Sequence, residues 1–589
     1  MTQESRRPVR PCQPRGAAAG GGGWRAWLRG GGERAARLER GRTRLLVTGL
    51  VFACAFAVLG LRVLDVAVLR GAPEPAMAQR DTARPETTRR ADIVDRNGNV
   101  LATSLPAPSL YANPREIEAP ERVAAKLARI LPELSPARAA RRMAMDRAFI
   151  WIKRGLTPRQ QARINRLGIP GLYFRKEPKR VYPQGKLTAH VVGFTDPDGR
   201  GIAGVEKAFD DLLSSARRPL ELSLDLRVQH ILADELSRSI QAFQAIGGAG
   251  LVMDARTGEI VAMASQPSFD PDSPGRAGEA ARFNRATLGV YEMGSVFKVF
   301  TMAAALDRGV VELGDRFDVS EPIRTGGFTI RDFKPKDAKL TVPEIFMHSS
   351  NIGTAKIARE MGTGTQRATL RDLGLTSPAQ VELPAVGSPI VPSPWRPINT
   401  LTISYGHGLA VTPLQLTSAV AATVNGGIRR TPTLLARPDA ETVPGRRVLS
   451  ASTSRTMQRM MRLVVAHGTG EKADAEGYRV GGKTGTADKL ADGRYSRDAH
   501  IASFVGAFPI DDPRYVVFAM VDEPKGQERT FGFATGGWVA APLVRRVVER
   551  TAGVLGVPPQ GPAHTPEMAE HPLLVKARAQ GEEPSIAAD

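Results

Sequence analysis

Tyr291-Glu292-Met293-Gly294-Ser295-Val296-Phe297-Lys298-Val299-Phe300 is the stretch on which the reading of this chain turns. Ser295 follows a glycine, and Lys298 stands three positions later at the mouth of an apolar run that continues to Leu306. Three residues are just under one helical turn, so a helix starting here puts hydroxyl and amine on one face, within reach of each other. The helix N-terminus adds free backbone N–H groups and the positive end of the dipole. A hydroxyl beside a base, with donors ready for a developing oxyanion, is what acyl transfer needs. Taken alone, Ser-x-x-Lys also reads as an N-capping serine with an exposed lysine one turn on, and so short a pattern recurs by chance.

Two distant stretches change the balance. Ser349-Ser350-Asn351 supplies a Ser-x-Asn, and Lys483-Thr484-Gly485-Thr486 supplies a Lys-Thr-Gly behind two further glycines. Ser-x-x-Lys, Ser-x-Asn and Lys-Thr-Gly, in this chain order, form the motif set of penicillin-binding proteins and class A β-lactamases. Over roughly residues 40–555 the sequence resembles a class B penicillin-binding protein, nearest in kind to the septum-specific (cell-division) peptidoglycan D,D-transpeptidases. The resemblance implies an α+β protein in three parts. These are a single N-terminal transmembrane helix, an elongated pedestal domain of the dimerisation type, and a C-terminal transpeptidase domain of the penicillin-binding, serine β-lactamase-like fold.

The resemblance also distributes roles. Ser295 is the acylated nucleophile, attacking the carbonyl between the two terminal D-alanines of a peptidoglycan stem peptide. Lys298 takes its proton and is therefore neutral part of the time; burial and a neighbouring positive charge, for which Lys483 is the candidate, depress a lysine pKa toward that range. Ser349 passes the proton toward the leaving amine, and Asn351 bonds to Lys298 and to the substrate amide. Alone, Ser349 to Asn351 would read as a helix cap or turn. Lys483 to Thr486 reads as an edge strand lining the cleft. Lys483, Thr484 and Thr486 suit the substrate's terminal carboxylate, and Gly485 lacks a side chain that would keep a peptide from pairing with the strand. The family pattern places the oxyanion hole at the N–H groups of Ser295 and Thr486. A β-lactam acylates Ser295 as a substrate mimic and leaves slowly. No cofactor and no metal are implied.

Length and composition agree. A chain of 589 residues exceeds one ordinary domain, and 42% hydrophobic with 24% charged residues is a globular balance. The two cysteines, Cys12 and Cys54, lie outside the presumed folded part, so no disulfide or thiolate metal site is expected there. The eight histidines are scattered without ligand spacing. The net charge of +21 raises nucleic acid as a partner. Its excess, however, is concentrated in two segments: residues 1–44, with eleven arginines against three glutamates, and residues 115–180, with seventeen Lys/Arg against six Asp/Glu. Neither segment has aromatic-interleaved nucleic-acid motifs.

Taken in order, residues 1–44 read as a disordered basic cytoplasmic tail and 45–69 as a membrane anchor. The seventeen uncharged residues 45–61 span about 26 Å as a helix. The arginines before them orient the N-terminus inward, leaving the catalytic part periplasmic at a single-pass inner-membrane protein. A cleaved signal peptide is the alternative. Residues 70–225 form the stalk and pedestal, with Arg90-Ala91-Asp92-Ile93-Val94-Asp95-Arg96-Asn97-Gly98 resembling the opening signature of the family's non-catalytic domain. Asn97-Gly98 predicts a hairpin turn. Apolar spacing from about 119 to 168 predicts helices, through Ile150, Ile152 and Leu156. The stretches at 180–185 and 201–206 also resemble family signatures, with architectural roles. Residues 226–556 form the transpeptidase domain, with a hairpin around 255–258, strands at Phe504–Phe508 and Tyr515–Met520, and a closing helix around Pro542–Thr551. Residues 557–589 read as a flexible tail.

Nothing before the pedestal could hold a glycosyltransferase domain. Glu292, two places before Gly294, favours the division enzyme over the elongation enzyme, which usually has proline there. By resemblance the partners are peptidoglycan stem peptides ending in D-Ala-D-Ala, a membrane-embedded septal glycan polymerase, other division proteins, and β-lactams as inhibitors. An elongation-specific transpeptidase, a membrane-bound β-lactam sensor and a septal scaffold stand as alternatives.

Overall fold

The computed structural model describes residues 47–61, 90–216, 218–336, 338–437, 443–491, 494–560 and Leu573. Residues 47–61 form a helix with every side chain exposed, including Cys54. Among the described residues no helix is long and apolar enough to cross a membrane. The expected anchor, 45–69, runs beyond the described residues at both ends, and the basic tail 1–44 lies outside them.

The pedestal begins as a hairpin. Ile93–Val94 pairs antiparallel with Val100–Ala112 around Asn97-Gly98. The Asp95 carboxylate holds this turn, accepting from the N–H groups of Asn97 and Asn99 at 2.9 and 2.8 Å. Val100–Ala112 continues for thirteen residues, pairing with Leu172–Val181 and with Ile150–Lys153. The expected helical stretch from 119 to 168 is therefore broken. Helices form at Pro120–Ala128, Pro136–Met143 and Pro158–Asn165, each with proline in its first turn, where the missing N–H costs nothing. Ile150 and Ile152 belong to a strand: the run Ile-Trp-Ile-Lys alternates buried and half-buried residues with the two-residue period of a sheet.

A buried ion triad fastens this domain. Both oxygens of the fully buried Glu206 carboxylate are taken, by Arg90 Nε at 2.6 Å and Arg180 Nε at 2.7 Å. The signatures at 90–98, 180–185 and 201–206 thus meet through charge, in keeping with the architectural roles expected of them. The same hairpin reaches the second domain: Arg96 bonds to Ser223 O and Glu259, and Asp95 accepts from Leu226 N at 3.1 Å.

The second domain is a five-stranded antiparallel sheet between helices. Its strands are β1 (Gly247–Asp254), β2 (Ile260–Gln266), β3 (Gly481–Ala491), β4 (Arg494–Phe508) and β5 (Tyr515–Asp522), in the order β3-β4-β5-β1-β2. All eight residues of β5 are buried, which is why its sequence, Tyr-Val-Val-Phe-Ala-Met-Val-Asp, shows no polar alternation. One face is covered by α1 (Leu226–Ala242) and by the closing helix (Gly536–Thr551), through a core that includes Leu232, Leu236, Val252, Val517, Leu543 and Val547. That closing helix starts six residues before the expected Pro542, which is tolerated well inside it. On the other face lie α2 (Lys298–Asp307), α3 (Val342–His348), α4 (Asn351–Asp372), α5 (Pro413–Val424) and α6 (Ala451–His467). Every residue of α5 is buried, each large apolar one contributing about 1.5–3 kcal/mol. Val557 is buried and Gln560 N donates to Gly477 O at 2.8 Å, so the first four residues of the expected tail are docked. Apart from Leu573, the rest of that tail lies outside the described residues.

Candidate active site

The three motifs converge where the edge strand β3 passes the start of α2. Gly294–Phe297 is a turn of 3₁₀ helix that runs directly into α2, so Ser295 sits one tight turn ahead of Lys298. Gly294 has φ +54, and a Cβ there would lie 2.5 Å from Thr486 O. A Cβ on Gly485 would lie 2.5 Å from Met293 O. Backbone thus lies against backbone, and glycine on each side lets the nucleophile turn touch the Lys-Thr-Gly strand.

Ser349 closes α3 in the left-handed region, at φ +61, an uncommon conformation for a residue with a side chain. Ser350 caps α4, its Oγ accepting from Gly353 N at 3.0 Å. The cap reading of this stretch is therefore right for Ser350, while its neighbours turn inward. Lys298 Nζ donates to Ser349 O at 2.6 Å, meets Ser349 Oγ at 3.0 Å, and reaches Asn351 Oδ1 at 2.7 Å. From the opposite wall Lys483 Nζ approaches Ser349 Oγ at 2.9 Å, with Thr484 O at 3.2 Å. Thr484 Oγ1 in turn bonds to Thr469 Oγ1 at 2.8 Å, and Thr486 Oγ1 accepts from Gly536 N at 3.1 Å.

Both lysines are fully buried. Burial first, and the charge of Lys483 second, hold the Lys298 amine well below the ordinary lysine range, with Asp332 pulling the other way. Burial alone brings Lys483 down to about 7. One of the two amines is thus free to be neutral at physiological pH, the condition for a base.

Ser295 is half-buried, and its hydroxyl makes no hydrogen bond among the described residues. Sharing a face with Lys298 has not produced the direct contact that the spacing alone suggests, because the lysine is drawn inward to Ser349 and Asn351. Every other predicted site residue (Ser349, Asn351, Lys483, Thr484, Gly485 and Thr486) lines this junction. No group of His, Cys, Asp and Glu that could hold a metal ion occurs among the described residues.

The comparisons with known proteins decide the family. The family described as the penicillin-binding protein transpeptidase domain matches residues 248–549, and the penicillin-binding protein dimerisation domain matches residues 85–218. The "Probable peptidoglycan D,D-transpeptidase FtsI" of Caulobacter vibrioides is 44% identical over 482 residues, covering 80% of this chain and 82% of that protein. The chain belongs to the class B penicillin-binding proteins. The "Peptidoglycan D,D-transpeptidase FtsI" of Escherichia coli K12 is 33% identical, covering 80% of this chain and 85% of its own length. Among solved structures, penicillin binding protein 3 of Mycobacterium tuberculosis in complex with ampicillin aligns with a TM-score of 0.65 at 27% identity, covering 82% of this chain and 98% of that one.

Within this class B penicillin-binding protein, two groups at the site were not visible as functional in the sequence. Asp332, on a loop eighteen residues before Ser350, accepts from Ser350 Oγ at 2.6 Å and from the N–H groups of Asn351 and Ile352. Its carboxylate at a helix N-terminus fixes the Ser-x-Asn stretch, and no spacing in the sequence marks it. Glu292, whose only signal in the sequence is a likeness to one branch of the family, gathers Gly408 N, Tyr495 and His407 around its carboxylate.

Proposed function

We propose that this chain is a serine D,D-transpeptidase that cross-links peptidoglycan stem peptides through an acyl-enzyme on Ser295, and that β-lactams inhibit it by acylating the same hydroxyl. The observation that carries the reading is the Ser349 hydroxyl between two buried amines, Lys298 and Lys483, beside the turn that presents Ser295. Lys298 removes the Ser295 proton as the hydroxyl attacks the penultimate D-alanine carbonyl. Ser349 relays that proton to the departing D-alanine nitrogen. Asn351 holds Lys298 in place and bonds the substrate amide, while Lys483, Thr484 and Thr486 face the terminal carboxylate. The N–H groups of Ser295 and Thr486 form the oxyanion hole, where losing one donor typically costs about 2.7–4 kcal/mol in the transition state.

The domain bounds follow the same reading: pedestal 70–225, transpeptidase 226–556, anchor 45–69, cytoplasmic tail 1–44 and C-terminal tail from 557. The uncharged run 45–61 behind eleven arginines supports single-pass insertion with a periplasmic catalytic domain. The division role, with a septal glycan polymerase and other division proteins as partners, rests on the family resemblance, on Glu292 and on relatives named FtsI. Fluorescent-penicillin labelling of wild type and Ser295→Ala tests the reading. Labelling should vanish in the variant; a labelled Ser295→Ala protein removes Ser295 as nucleophile.

A further inference from the structure

A cavity of about 230 Å³ opens where the stretch matched to the dimerisation domain meets the transpeptidase domain, and no residue of the three motifs lines it. Ala189, His190 and Phe194 wall it on one side; Phe269, Leu383 and Pro384 wall it on the other. The two sides are fastened to each other. His190 Nε2 donates to Ala281 O at 3.0 Å, and Asn284 Nδ2 donates to His190 O at 3.3 Å. The Phe269 ring meets those of His190 and Phe194 edge-on, with centroids 5.2 and 5.9 Å apart. Thr287 Oγ1 donates to Ala385 O at 3.0 Å and holds the loop at the rim. Walls tied in this way keep open a space that close packing would otherwise fill.

The lining is apolar with one charge. A carbonyl oxygen only accepts, so the His190 proton sits on Nε2. Burial holds the pKa of that ring down to about 4 and leaves it neutral at physiological pH. Both ends of the Asn284 amide are already used, Nδ2 on His190 O and Oδ1 on Ala286 N at 3.0 Å. Arg282 is different. It lines the cavity from an exposed position, and no carboxylate pairs with its guanidinium among the described residues. A concave, mostly apolar space at a domain boundary, with a single charged group, is the form that small-molecule sites take. An apolar cavity of roughly 150 Å³ holds a benzene ring, so the larger volume here admits a ring together with a short acid arm.

We propose that this cavity binds a small apolar carboxylate about the size of phenylacetate, its ring between Phe194, Phe269 and Leu383 and its carboxylate on the Arg282 guanidinium. The site goes beyond the transpeptidase reading and does not depend on it. Arg282 supplies a planar fork that meets a carboxylate with two parallel N–H bonds. A neutral isostere gains the burial without that pair. A cationic ligand meets repulsion from Arg282 and from Arg285, whose charge already opposes protonation of His190. Because the ligand touches both walls, it binds the docked arrangement of the two domains and stabilises it by mass action.

The test uses the full-length protein with phenylacetate and its neutral isostere phenylacetamide, read as the shift of the thermal unfolding midpoint with probe concentration. Phenylacetate should give a saturable upward shift and bind about tenfold more tightly than the amide, the worth of a hydrogen bond to a charged group. Arg282→Gln, a change at an exposed position, should bring the acid down to the amide's affinity. Ala203→Leu and Ala385→Leu fill the cavity from opposite walls, and each should abolish binding of both probes while fluorescent penicillin still labels the protein. Ser295→Ala should bind phenylacetate as wild type does, and saturating penicillin should not displace it. No saturable shift at millimolar phenylacetate overturns the proposal, as do equal affinities for acid and amide in wild type. Binding that survives both leucine variants, or Arg282→Gln at full strength, overturns it too. Displacement by penicillin would move the probe to the catalytic slot and overturn it as well. Failure of wild type to take up penicillin would instead remove the transpeptidase reading and leave this site standing.

Discussion

The Ser349 hydroxyl stands 3.0 Å from Lys298 Nζ and 2.9 Å from Lys483 Nζ, so a single oxygen joins two fully buried amines. A hydroxyl has one proton to donate and lone pairs to accept. With Lys298 neutral, it gives its two N–H bonds to Ser349 O and Asn351 Oδ1 and accepts the Ser349 proton. With Lys483 charged, its protons go to Ser349 Oγ and the two oxygens of Thr484. Every donor then meets an acceptor, and the single lone pair of Lys298, held by the Ser349 proton, becomes available to Ser295 once that bond is released.

Removing that hydroxyl should disable proton transfer and spare the fold. Ser349→Ala and Ser349→Gly are both expected to slow acylation of Ser295 by fluorescent penicillin about 10²-fold or more. Their stabilities should differ in the opposite sense to a contact argument. Ser349 has φ +61, where glycine is unstrained and alanine is not, so the glycine variant should be more stable by about 1 kcal/mol in urea unfolding. Acylation at the wild-type rate in either variant would remove Ser349 from the proton path.

The buried amines also set a pH dependence of stability. Lys483 has its folded pKa depressed to about 7 by burial, while an unfolded lysine titrates near ~10.4. Between these values the unfolded chain holds a proton that the folded chain lacks, so stability falls as pH drops from about 10 to about 7 and levels off below. Lys298, which burial and the charge of Lys483 also hold well below the ordinary lysine range, adds a loss of the same sign. Each amine contributes up to about 1.4 kcal/mol per pH unit. Lys483→Met should flatten the upper part of this profile, read by urea unfolding at several pH values; a variant whose slope matches wild type contradicts the assigned burial effect.

How much of this is legible in the sequence depends on the range of the interaction. Ser295 and Lys298 announce themselves because their spacing is local, and Lys483 to Thr486 because a glycine in a strand marks a close approach. The three-residue period of Ser295 and Lys298 could not show that the lysine turns away toward Ser349, since that is decided by a residue fifty-one positions later. Ile150 and Ile152 read as helical because proline-started helices surround them; their pairing with Val100–Ala112 overrides the neighbourhood. Asp332 carries no local signature at all. Its partners lie about twenty residues on, in a loop whose course only tertiary structure fixes.

Asp332 gives a prediction of its own. Asparagine in its place keeps an oxygen for the Asn351 and Ile352 N–H groups and removes the charge that raises the Lys298 pKa. Asp332→Asn should therefore move the acid limb of the acylation rate to lower pH, because Lys298 loses its proton more easily. Asp332→Ala removes the cap as well, at about 1 kcal/mol of stability, and should slow acylation at every pH as Asn351 loosens. An acid limb that moves upward in Asp332→Asn would show that the charge acts on a group other than Lys298.

The contact between the nucleophile turn and β3 is the most exacting piece of packing in the site, and it can be tested with one methyl group. A Cβ on Gly485 would run into Ser503 Oγ and would lie 2.5 Å from Met293 O, closer than real Cβ atoms come. Ser503 Oγ can rotate away; Met293 O is backbone and cannot, so relief requires β3 and the Gly294 turn to separate. Overpacking of this kind costs about 1–3 kcal/mol, and here the displacement falls between Ser295 and the strand carrying Lys483. Gly485→Ala should thus lose most penicillin labelling at a modest loss of unfolding free energy. Gly275 serves as the control, because it is exposed and a Cβ there meets nothing within 4 Å. Gly275→Ala should label as wild type, and a Gly485→Ala protein that labels equally well would mean that the turn and the strand need not touch for Ser295 to react.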